Sequence, residues 1–514
     1  MRPALSTLNG KHFDVVIVGG GISGASSIQH LAAAGYSVLL VEKGDFCAAA
    51  TSRSSRILHC GLRYMAPKKT PWEFLLHPKR LWTAVDTARR SVLCRSEFLT
   101  ETPERLRPLP LAIPLYDDEP YKGWHIDLGA KLLHALDPKK IPLQYRRLSP
   151  AEALAMPMLK WFRDPHKLKS VVTFMDYQFH WPDRLAMDAI LDAERMGAIA
   201  RNYTKATSFV REDKGWRFTV EDMVTGETAN VSSAQFLNFT GTWIDGVNKQ
   251  AAPASTPPRK IVAVKGTHIA VRLPPECKGI GVAGINREGE HTFCMSWGDY
   301  HYIGPTETIY EGDLERVYPL EEEIQFLLDE TNHMLPGINL SRKSVEFAWA
   351  GVRPITYDPE RAKGRRMPFA VAQDMHDEGM RDSATITWAN IMFHRQSARQ
   401  VVDVVKKRHK PSGKPQAISY EARLFPENQN SPPIVEGNTS VTMATLRKMA
   451  ETEQPRHLVD LLYRRSGLGW AGPIPPDAVS RAAEAVAGPL GWDAARTERE
   501  IAAFNAYQKE QHLR

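Results

Sequence analysis

The sequence predicts an α/β protein that opens with a βαβ unit of a parallel sheet. Three consecutive features near the N-terminus support this prediction: a β-branched run at 13–18, a glycine-rich stretch at 19–24, and a second apolar run at 36–42. A helix-length segment with small apolar residues on one face separates the two runs. A strand, a glycine turn, a helix and a second strand in this order are typical of an α/β fold.

Composition and charge narrow the class of protein. The 514 residues are 43% apolar and 24% charged, which is ordinary for a globular chain long enough for roughly two to four domains. A net charge of +7 favours anionic substrates or anionic lipid and does not indicate a nucleic-acid partner. The five cysteines form no C-x-x-C pair, so we predict no metal site and expect a reducing compartment. We find no secretory leader and no run of 18 apolar residues, and therefore expect a cytoplasmic protein.

The glycine turn has the spacing of a dinucleotide-binding fingerprint. Gly19 permits a tight turn, Gly21 lets the backbone approach a pyrophosphate, and Gly24 lets the helix pack closely on the strand. The helix that follows offers its N-terminus to phosphate. Glu42 ends the second strand and is placed to accept hydrogen bonds from ribose hydroxyls. The sequence therefore predicts a Rossmann-like dinucleotide site.

The segment 51–65 is rich in arginine and in small hydroxyl side chains. Hydroxyl groups bond phosphate and ribityl oxygens, and arginines place positive charge near a flavin ring or hold an anionic substrate. This segment and the N-terminal position of the fingerprint favour FAD over NAD. A solvated surface loop is the alternative interpretation. The candidate cofactor ligands here are Thr51, Ser52, Ser54 and Ser55, with Lys43 beside Glu42.

A family resemblance extends along nearly the whole chain. Residues 14–65 closely resemble the opening of the FAD-dependent glycerol-3-phosphate dehydrogenases, which belong to a larger group of flavin oxidoreductases that includes D-amino-acid oxidase. Further segments resemble family motifs in the same order: "VKGTHIAV" (264–271), "HYIGPTET" (301–308), "WAGVRPI" (349–355), "DMHDE" (374–378) and "LVDLLYRRSGLGW" (458–470).

The resemblance implies three domains. A Rossmann-like FAD-binding domain is expected from the discontinuous segments 11–62, 166–245 and 350–410. A mixed-sheet, substrate- and membrane-facing domain is expected from 63–165 and 246–349, and a linker with a helical C-terminal domain from 411–514. The sequence is compatible, because 234–245 reads as a strand that enters a turn at Gly241, and 385–407 reads as a strand, a loop and a helix.

The resemblance also implies the chemistry, the oxidation of a secondary alcohol with hydride transfer to the flavin. Arg63 and Tyr64 match the family's substrate-side pair, in which arginine grips phosphate and tyrosine bonds the substrate hydroxyl. Arg353 matches the arginine that the family places by the flavin near the reacting carbon, so we assign it both a cofactor-binding and a catalytic role.

A histidine is expected to accept the hydroxyl proton, because its ordinary pKa near 6.5 suits that task at neutral pH. His268, in the "KGTH" strand, is the first candidate, and His59 and His301 are the alternatives. A purely structural role for His268 stays open, since a histidine on an alternating strand is often only a satisfied polar group.

The chain departs from the family at one motif near the flavin. The stretch "WANIMFHR" (388–395) stands where the family carries G-G-K-[LF]-T-T-[YW]-R, so that Asn390 replaces the lysine and only Arg395 is kept. A further family arginine aligns with Phe369. Loss of these cations is expected to change the flavin potential, phosphate binding or both. It is consistent with a different substrate or with lost catalysis.

The leading functional hypothesis is oxidation of glycerol 3-phosphate to dihydroxyacetone phosphate, with electrons passed to quinone. The alternatives are an enzyme of the same fold for another polyol phosphate or hydroxy acid, and a flavin-binding protein without dehydrogenase activity. Cations mixed with aromatic residues in 53–95, and an amphipathic basic helix at 124–140, suit the surface of an anionic bilayer. Peripheral attachment to the cytoplasmic face of the inner membrane is therefore a second expectation for localisation.

Overall fold

The structure is a computed structural model that describes residues 2, 4–65, 78–118, 122–361, 371–388, 390–425 and 430–512. Numbered along the described chain, the strands are β1 His12–Val18, β2 Val38–Val41, β3 Ile57–Leu58, β4 Leu106–Tyr116, β5 Arg146–Leu148, β6 Leu168–Phe179, β7 Ile199–Arg201, β8 Thr204–Glu212, β9 Gly215–Asp222, β10 Thr228–Asn238, β11 Ile261–Val271, β12 Gly281–Ile285, β13 His291–Trp297, β14 Tyr300–Gly304, β15 Thr308–Ile309, β16 Val345–Thr356, β17 Val371–Asp374 and β18 Ser383–Thr387. The α-helices are α1 Ile22–Ala33, α2 Pro78–Glu101, α3 Gly123–Leu136, α4 Pro150–Leu154, α5 Pro182–Arg195, α6 Ile244–Ala251, α7 Glu321–Met334, α8 His394–Lys406, α9 Met443–Thr452, α10 Pro476–Leu490 and α11 Ala494–His512.

The first sheet has the strand order β17-β18-β10-β1-β2-β7, and β9 and β8 extend from β10. The strands β18, β10, β1, β2 and β7 are parallel to one another, and β17 and β9 pair antiparallel with β18 and β10. Their residues are almost all buried, because α1, α5 and α8 cover one face and the β8–β9 hairpin covers the other. The predicted βαβ unit and the α/β class are confirmed, and β10 leads into the predicted turn at Gly241.

The parallel strands end at one edge of this sheet, and the predicted cofactor residues follow those ends. The glycine turn follows β1, Glu42 follows β2, Gly241 follows β10, and Asn390 follows β18 by three residues. In open α/β sheets, ligands bind outside the carboxyl ends of the strands. The residues that directly follow these parallel strands therefore lie together and form the candidate site.

The second sheet is mixed and has the order β15-β11-β14-β13-β12-β4-β6-β3, with β16 paired to β11 and β5 to β6. It contains β6 and all of β16, although the predicted segments 166–245 and 350–410 assign β6 and residues 350–356 of β16 to the FAD-binding domain. The reason is long-range pairing, because β6 pairs with β4 along nearly its whole length. The domain boundaries themselves stay a prediction.

The C-terminal region is helical, as predicted. It contains α9, α10, α11 and a π-helix at Asp460–Arg465, which packs against α5 beside the first sheet. Trp470 and Tyr463 also enter the core below the second sheet. The C-terminal region thus packs against α5 beside the first sheet and contributes to the core at the second sheet. All five cysteines are buried with free thiols.

Candidate active site

The glycine turn forms a close-packed cradle at the end of β1. Gly19 has φ +114°, and a Cβ atom there would lie 2.4 Å from the carbonyl oxygen of Phe239. A Cβ atom on Gly24 would lie 1.9 Å from the carbonyl oxygen of Gly19. Gly21 is the N-cap of α1 and provides no capping side chain. Only glycine fits at Gly19 and Gly24, so the backbone of the turn stays open toward the cavity above it.

The N-terminus of α1 is prepared for an anion. Its first turn carries no acidic side chain, so the positive end of the helix is available to a phosphate. Thr51 Oγ1 accepts a hydrogen bond from the Ile22 amide at 3.0 Å and joins segment 51–65 to this turn. Glu42 accepts hydrogen bonds from the amides of Gly20 at 2.7 Å and Gly44 at 2.9 Å, which fixes its carboxylate at the same edge.

A cavity of about 2100 Å³ extends from this cradle to the second sheet. Most ligand pockets measure roughly 300–1,000 Å³, so the cavity has room for a dinucleotide and a second ligand. Most of the predicted site residues line it, namely Gly19, Gly21, Glu42, Lys43, Thr51, Ser54, Ser55, His59, Tyr64, Gly241, His268, Arg353 and Asn390. The glycine cradle, the helix N-terminus and the cavity together fit the FAD that the sequence predicts.

Three predicted residues lie elsewhere, and the side chain of a fourth lies outside the described part. Ser52 donates to the carbonyl oxygen of Ala49 at 3.1 Å and stabilises the loop. Gly24 acts by close packing beneath the turn. The imidazole of His301 lies within hydrogen-bond distance of two carbonyl oxygens at 3.1 Å, away from the cavity, which indicates a structural role. The side chain of Arg63 is the one outside the described part, and Phe369 lies outside it entirely.

His268 stands on β11 in a fully buried position. Its Nε2 lies 3.0 Å from Ser55 Oγ, and its ring stacks on Trp349 with 4.9 Å between centroids and 8° between planes. Burial lowers the pKa of His268 to about 3, with a further contribution from the guanidinium groups of Arg353 and Arg56. The imidazole is therefore neutral at physiological pH and has an unprotonated nitrogen, although it is a weaker base than an ordinary histidine.

Arg353 and Tyr64 reach the same cavity from different elements. Arg353 lies on β16 opposite Val264 of β11, and its Nη2 donates to the Thr306 carbonyl oxygen at 3.4 Å. A Cβ atom on Gly266 would lie 3.2 Å from this Nη2, so the glycine gives the guanidinium room. Tyr64 Oη lies 3.3 Å from His59 Nε2. The structure thus brings together a cation, a phenol and two histidines.

A buried cation beside His268 was not singled out from the sequence. The guanidinium carbon of Arg56 lies 4.5 Å from the ring centroid of Trp297 and 4.3 Å from that of Trp470. Its Nε and Nη2 have no hydrogen-bond partner in the described part of the chain. Burial lowers the pKa of Arg56 to about 10, which still leaves it charged at neutral pH. Only the run of arginines in 51–65 signals this role, since the tryptophans come from distant segments.

The departures from the family motif also lie at the site. Asn390 lines the cavity, and its Oδ1 accepts a hydrogen bond from the Met392 amide at 3.2 Å as the cap of a short 3₁₀ helix. Arg395, the conserved end of the motif, instead pairs with Glu101 at 2.7 Å on α2. The amide of Asn390 supplies no charge where the family carries lysine. Lys43, the neighbour of Glu42, lies over the ring of Trp243 and pairs with Glu315.

Comparison with known proteins identifies the family. Residues 14–380, more than half of the chain, match the family described as "FAD dependent oxidoreductase". The chain belongs to this family of FAD-dependent oxidoreductases. Its cofactor is accordingly FAD, as the glycine turn and segment 51–65 predict. In the described ranges, no cluster of three or more His, Cys, Asp or Glu side chains could hold a metal ion.

The most similar relatives include glycerol-3-phosphate dehydrogenases. The enzyme of Synechocystis sp. is 30% identical over 418 residues, which cover 78% of this chain and 71% of the relative. The aerobic enzyme of Staphylococcus haemolyticus is 27% identical over 79% of this chain and 71% of the relative. These similarities confirm the resemblance found in the sequence motifs.

Two solved structures show the same fold. The glycerol-3-phosphate dehydrogenase of Bacillus halodurans, solved with FAD, aligns with a TM-score of 0.69 at 18% identity and covers 99% of this chain and 96% of that one. The L-α-glycerophosphate oxidase of Mycoplasma pneumoniae, also solved with FAD, has a TM-score of 0.59 at 18% identity and covers 81% and 99%. The first alignment includes the C-terminal helices, which lie beyond the family match.

Proposed function

We propose that this FAD-dependent oxidoreductase oxidises the secondary hydroxyl of a small anionic substrate, with glycerol 3-phosphate as the leading candidate and dihydroxyacetone phosphate as the product. The observation that carries the proposal is the convergence of Arg353, Tyr64 and His268 on one cavity with the cofactor cradle. The names of the relatives support the same substrate.

We propose a separate role in the oxidation for the cofactor and for each of these side chains. FAD, when bound, accepts the hydride that leaves the substrate carbon. Arg353 holds the anionic substrate and stabilises negative charge that develops on its oxygen. Tyr64 orients the hydroxyl, and a neutral His268 or His59 takes its proton. The substrate loses a hydride and a proton and becomes a ketone, and quinone is the proposed acceptor of the two electrons.

A second candidate keeps the cofactor and changes the substrate. Asn390 has no charge at the position where the family carries lysine, and it is fixed by its bond to the Met392 amide. A phosphate placed for that lysine would lose a charged partner. This observation favours another polyol phosphate or a hydroxy acid.

Anaerobic mixing of the purified holoenzyme with glycerol 3-phosphate tests the proposal. Bleaching of the flavin absorbance supports the leading substrate. Bleaching only with other polyol phosphates or with hydroxy acids supports the second candidate. If no compound of these classes reduces the flavin, the chain is a flavin-binding protein without dehydrogenase activity.

We also propose that the protein binds an anionic membrane surface from its α2–α3 side. Trp82 is 71% exposed on α2, and Trp124 and Leu128 are 57% and 61% exposed on α3, which packs against α2. Exposed lysines lie close to both tryptophans in the chain, Lys79 three residues before Trp82 and Lys122 two residues before Trp124. Exposed tryptophans beside cations suit the headgroup region, where each cation contributes about 1 kcal/mol. No helix in the described part of the chain is long and apolar enough to cross a bilayer.

Co-sedimentation with vesicles of phosphatidylglycerol and phosphatidylcholine tests this proposal. The double variant Trp82→Ser/Trp124→Ser should lose most of the bound fraction, because it removes the two aromatic anchors. Leu424→Ser is the matched control, since Leu424 is 69% exposed but lies in the segment before the C-terminal helices. Equal binding of the double variant and the native protein would exclude this face as the membrane surface.

A further inference from the structure

A second cavity, which we call the side pocket, opens beside the substrate end of the main cavity. Its volume is about 90 Å³. Ile57, His59 and Phe293 are among the residues that line both cavities, so the two cavities adjoin each other. His59 is also the partner of Tyr64. The side pocket therefore adjoins the position where the substrate hydroxyl is proposed to lie, rather than the cofactor cradle.

The inner wall of the side pocket is apolar. It consists of Leu111 and Leu115 from β4, Val172 and Phe174 from β6, and Met334 from the end of α7. All five are buried. Protein interiors are packed as densely as organic crystals, and empty spaces of this size are few. Apolar cavities stay dry and accept apolar ligands.

The acidic groups of the side pocket already have partners. Asp176 Oδ1 accepts a hydrogen bond from the Cys60 amide at 2.8 Å. Glu330 accepts bonds from the Arg287 amide at 2.9 Å and from its side chain at 2.7 Å. Neither carboxylate is left to bind a polar ligand deep in the pocket. Arg163, which pairs with Asp164 at 3.1 Å, lines both cavities, as do His291 and His333.

The volume of the side pocket limits the size of the apolar group that it can hold. A cavity of about 150 Å³ accepts benzene, so a 90 Å³ pocket accepts a smaller group, such as a propyl or isobutyl chain. Glycerol 3-phosphate carries an oxygen on every carbon and has no such group. Arg163, which lines both cavities, and Arg353 in the main cavity attract the anionic end of a substrate, which leaves an apolar substituent to enter the side pocket.

We propose that the side pocket is a specificity subsite for a short apolar substituent of the anionic secondary alcohol that is oxidised in the main cavity. This inference rests on the proposed function and narrows its substrate class. The preferred substrate then resembles glycerol 3-phosphate with a small alkyl group in place of one polar end, and glycerol 3-phosphate itself leaves the subsite empty.

A series of alkyl ethers tests the subsite in the FAD-loaded protein. Glycerol 3-phosphate and its 1-O-methyl, 1-O-propyl, 1-O-isobutyl and 1-O-benzyl ethers share the phosphate and the secondary hydroxyl and differ only in the apolar group. We expect kcat/KM for flavin reduction to rise at least about tenfold from the parent compound to the propyl or isobutyl ether, and to fall again for benzyl.

Two variants should move this optimum in opposite directions. Leu111→Ala enlarges the side pocket and should favour the benzyl ether. Ala283→Leu adds volume at a position that also lines the pocket and should favour the methyl ether or the parent compound. Leu109→Ala is the matched control, because Leu109 is buried two residues earlier on β4 and does not line the pocket. Retained flavin absorbance shows that each variant is folded.

Failure of the subsite and failure of the proposed function give different results. If all ethers and the parent compound react equally, or if the optimum is the same in every variant, the side pocket is not a subsite and the proposed function stands. If no compound reduces the flavin, the proposed function fails. The subsite is then decided by titration calorimetry with the 2-deoxy ethers. Tighter binding of the propyl than of the methyl compound, lost in Ala283→Leu but kept in Leu109→Ala, supports it, and equal binding overturns it.

Discussion

At the scale of single residues, the site combines fixed positive charge with a neutral imidazole. Arg353 and Arg56 both lower the pKa of His268, which burial has already lowered. Both arginines line the cavity, but Arg56 is buried and held between tryptophan rings, whereas Arg353 on β16 is only half-buried. Of the two, Arg353 is therefore the cation placed to meet a substrate.

Replacement of Arg353 by alanine should leave FAD bound and slow flavin reduction by at least about tenfold, or roughly 1.4 kcal/mol in barrier. The reason is that the cradle lies on the first sheet, while Arg353 lies on the second, where we propose that it stabilises charge on the substrate oxygen. Stopped-flow absorbance with excess substrate measures the rate. Arg353→Lys keeps the charge but loses the planar guanidinium group, so its rate of flavin reduction should lie between those of the native protein and Arg353→Ala. Unchanged reduction kinetics in Arg353→Ala would remove this residue from the site.

The sequence predicts those site residues whose role depends on their neighbours in the chain. Gly19, Gly21 and Glu42 belong to one local fingerprint, and the structure places all three on the cavity. The environment of His268 could not be predicted, because its stacking partner Trp349 comes from β16 and its contact Ser55 from the loop after β2. A pKa as low as about 3 results from this tertiary burial and not from the motif.

At the scale of elements, the β1–α1 turn is the junction with the least freedom. The Cβ distances at Gly19 and Gly24 involve backbone atoms, which cannot move aside as a flexible side chain can. A methyl group on Gly24 would push α1 away from the turn after β1. A methyl group on Gly19 would push that turn away from the segment after β10. The same displacement would move the helix N-terminus away from the proposed pyrophosphate position.

Gly24→Ala should therefore abolish FAD binding, because a Cβ atom 1.9 Å from the Gly19 carbonyl oxygen forces the turn apart. The ratio of flavin to protein absorbance in the purified protein measures occupancy. Gly488→Ala is the control, since a Cβ atom there meets nothing within 4 Å and Gly488 lies within α10. It should keep FAD and gain about 0.5–1 kcal/mol in the free energy of unfolding. Full occupancy in Gly24→Ala would contradict the packing role of this glycine.

Elements with a strong local pattern were predicted well, and pairings over long distances were not. The strands at 13–18 and 36–42, the helix between them and the helical character of the C-terminal region follow from periodicity and glycine positions. The pairing of β4 with β6 and the parallel pairing of β12 with β4 join segments far apart in the chain. Such pairings depend on packing of the whole sheet, which single-segment patterns do not encode.

At the scale of the whole molecule, buried histidines make stability depend on pH. Burial lowers the pKa of several histidines from 6.5, to about 3 for His268 and His512 and to about 4 for His30 and His180. Between these values and pH 6.5 the unfolded chain binds more protons than the folded one, so their contribution to stability is lost as pH falls. Asp183 and Glu194, whose pKa values burial raises to about 7, act in the opposite direction but are fewer.

We therefore expect the urea midpoint of unfolding to fall between pH 7.5 and pH 5. Circular dichroism at fixed ionic strength measures it. His512→Gln should make the fall smaller, because glutamine does not titrate and retains an amide that can bond the Ala348 carbonyl oxygen, 3.1 Å from His512 Nδ1. A midpoint that stays constant over this range would show that these histidines titrate normally in the folded protein.

Buried ion pairs also join the edge of the first sheet that carries the cofactor cradle to the C-terminal region, and we call these pairs the charged junction. Asp45 follows Glu42 by three residues and is fully buried. Its Oδ2 lies 2.5 Å from Arg464 Nε, and its Oδ1 lies 2.7 Å from Arg465 Nη2. The Asn202 amide donates to the same carboxylate at 2.8 Å. More than four hundred residues separate Asp45 from Arg464 and Arg465, so no local sequence pattern could reveal these ion pairs.

Asp45→Asn should loosen the C-terminal helices and weaken FAD retention together. An amide cannot neutralise Arg464 and Arg465, and breaking a buried ion pair on one side typically costs about 3–5 kcal/mol in the free energy of unfolding. Since Arg464 lines the cavity, the lost pairing acts directly on the cofactor edge. Limited proteolysis followed by mass spectrometry should show new cleavage after residue 442, and the flavin-to-protein absorbance ratio should fall. Asp477→Asn removes an exposed pair with Arg481 and should change neither reading. If Asp45→Asn loses FAD while the C-terminal helices stay protected, the carboxylate acts on the cofactor site alone and the junction does not couple the two regions.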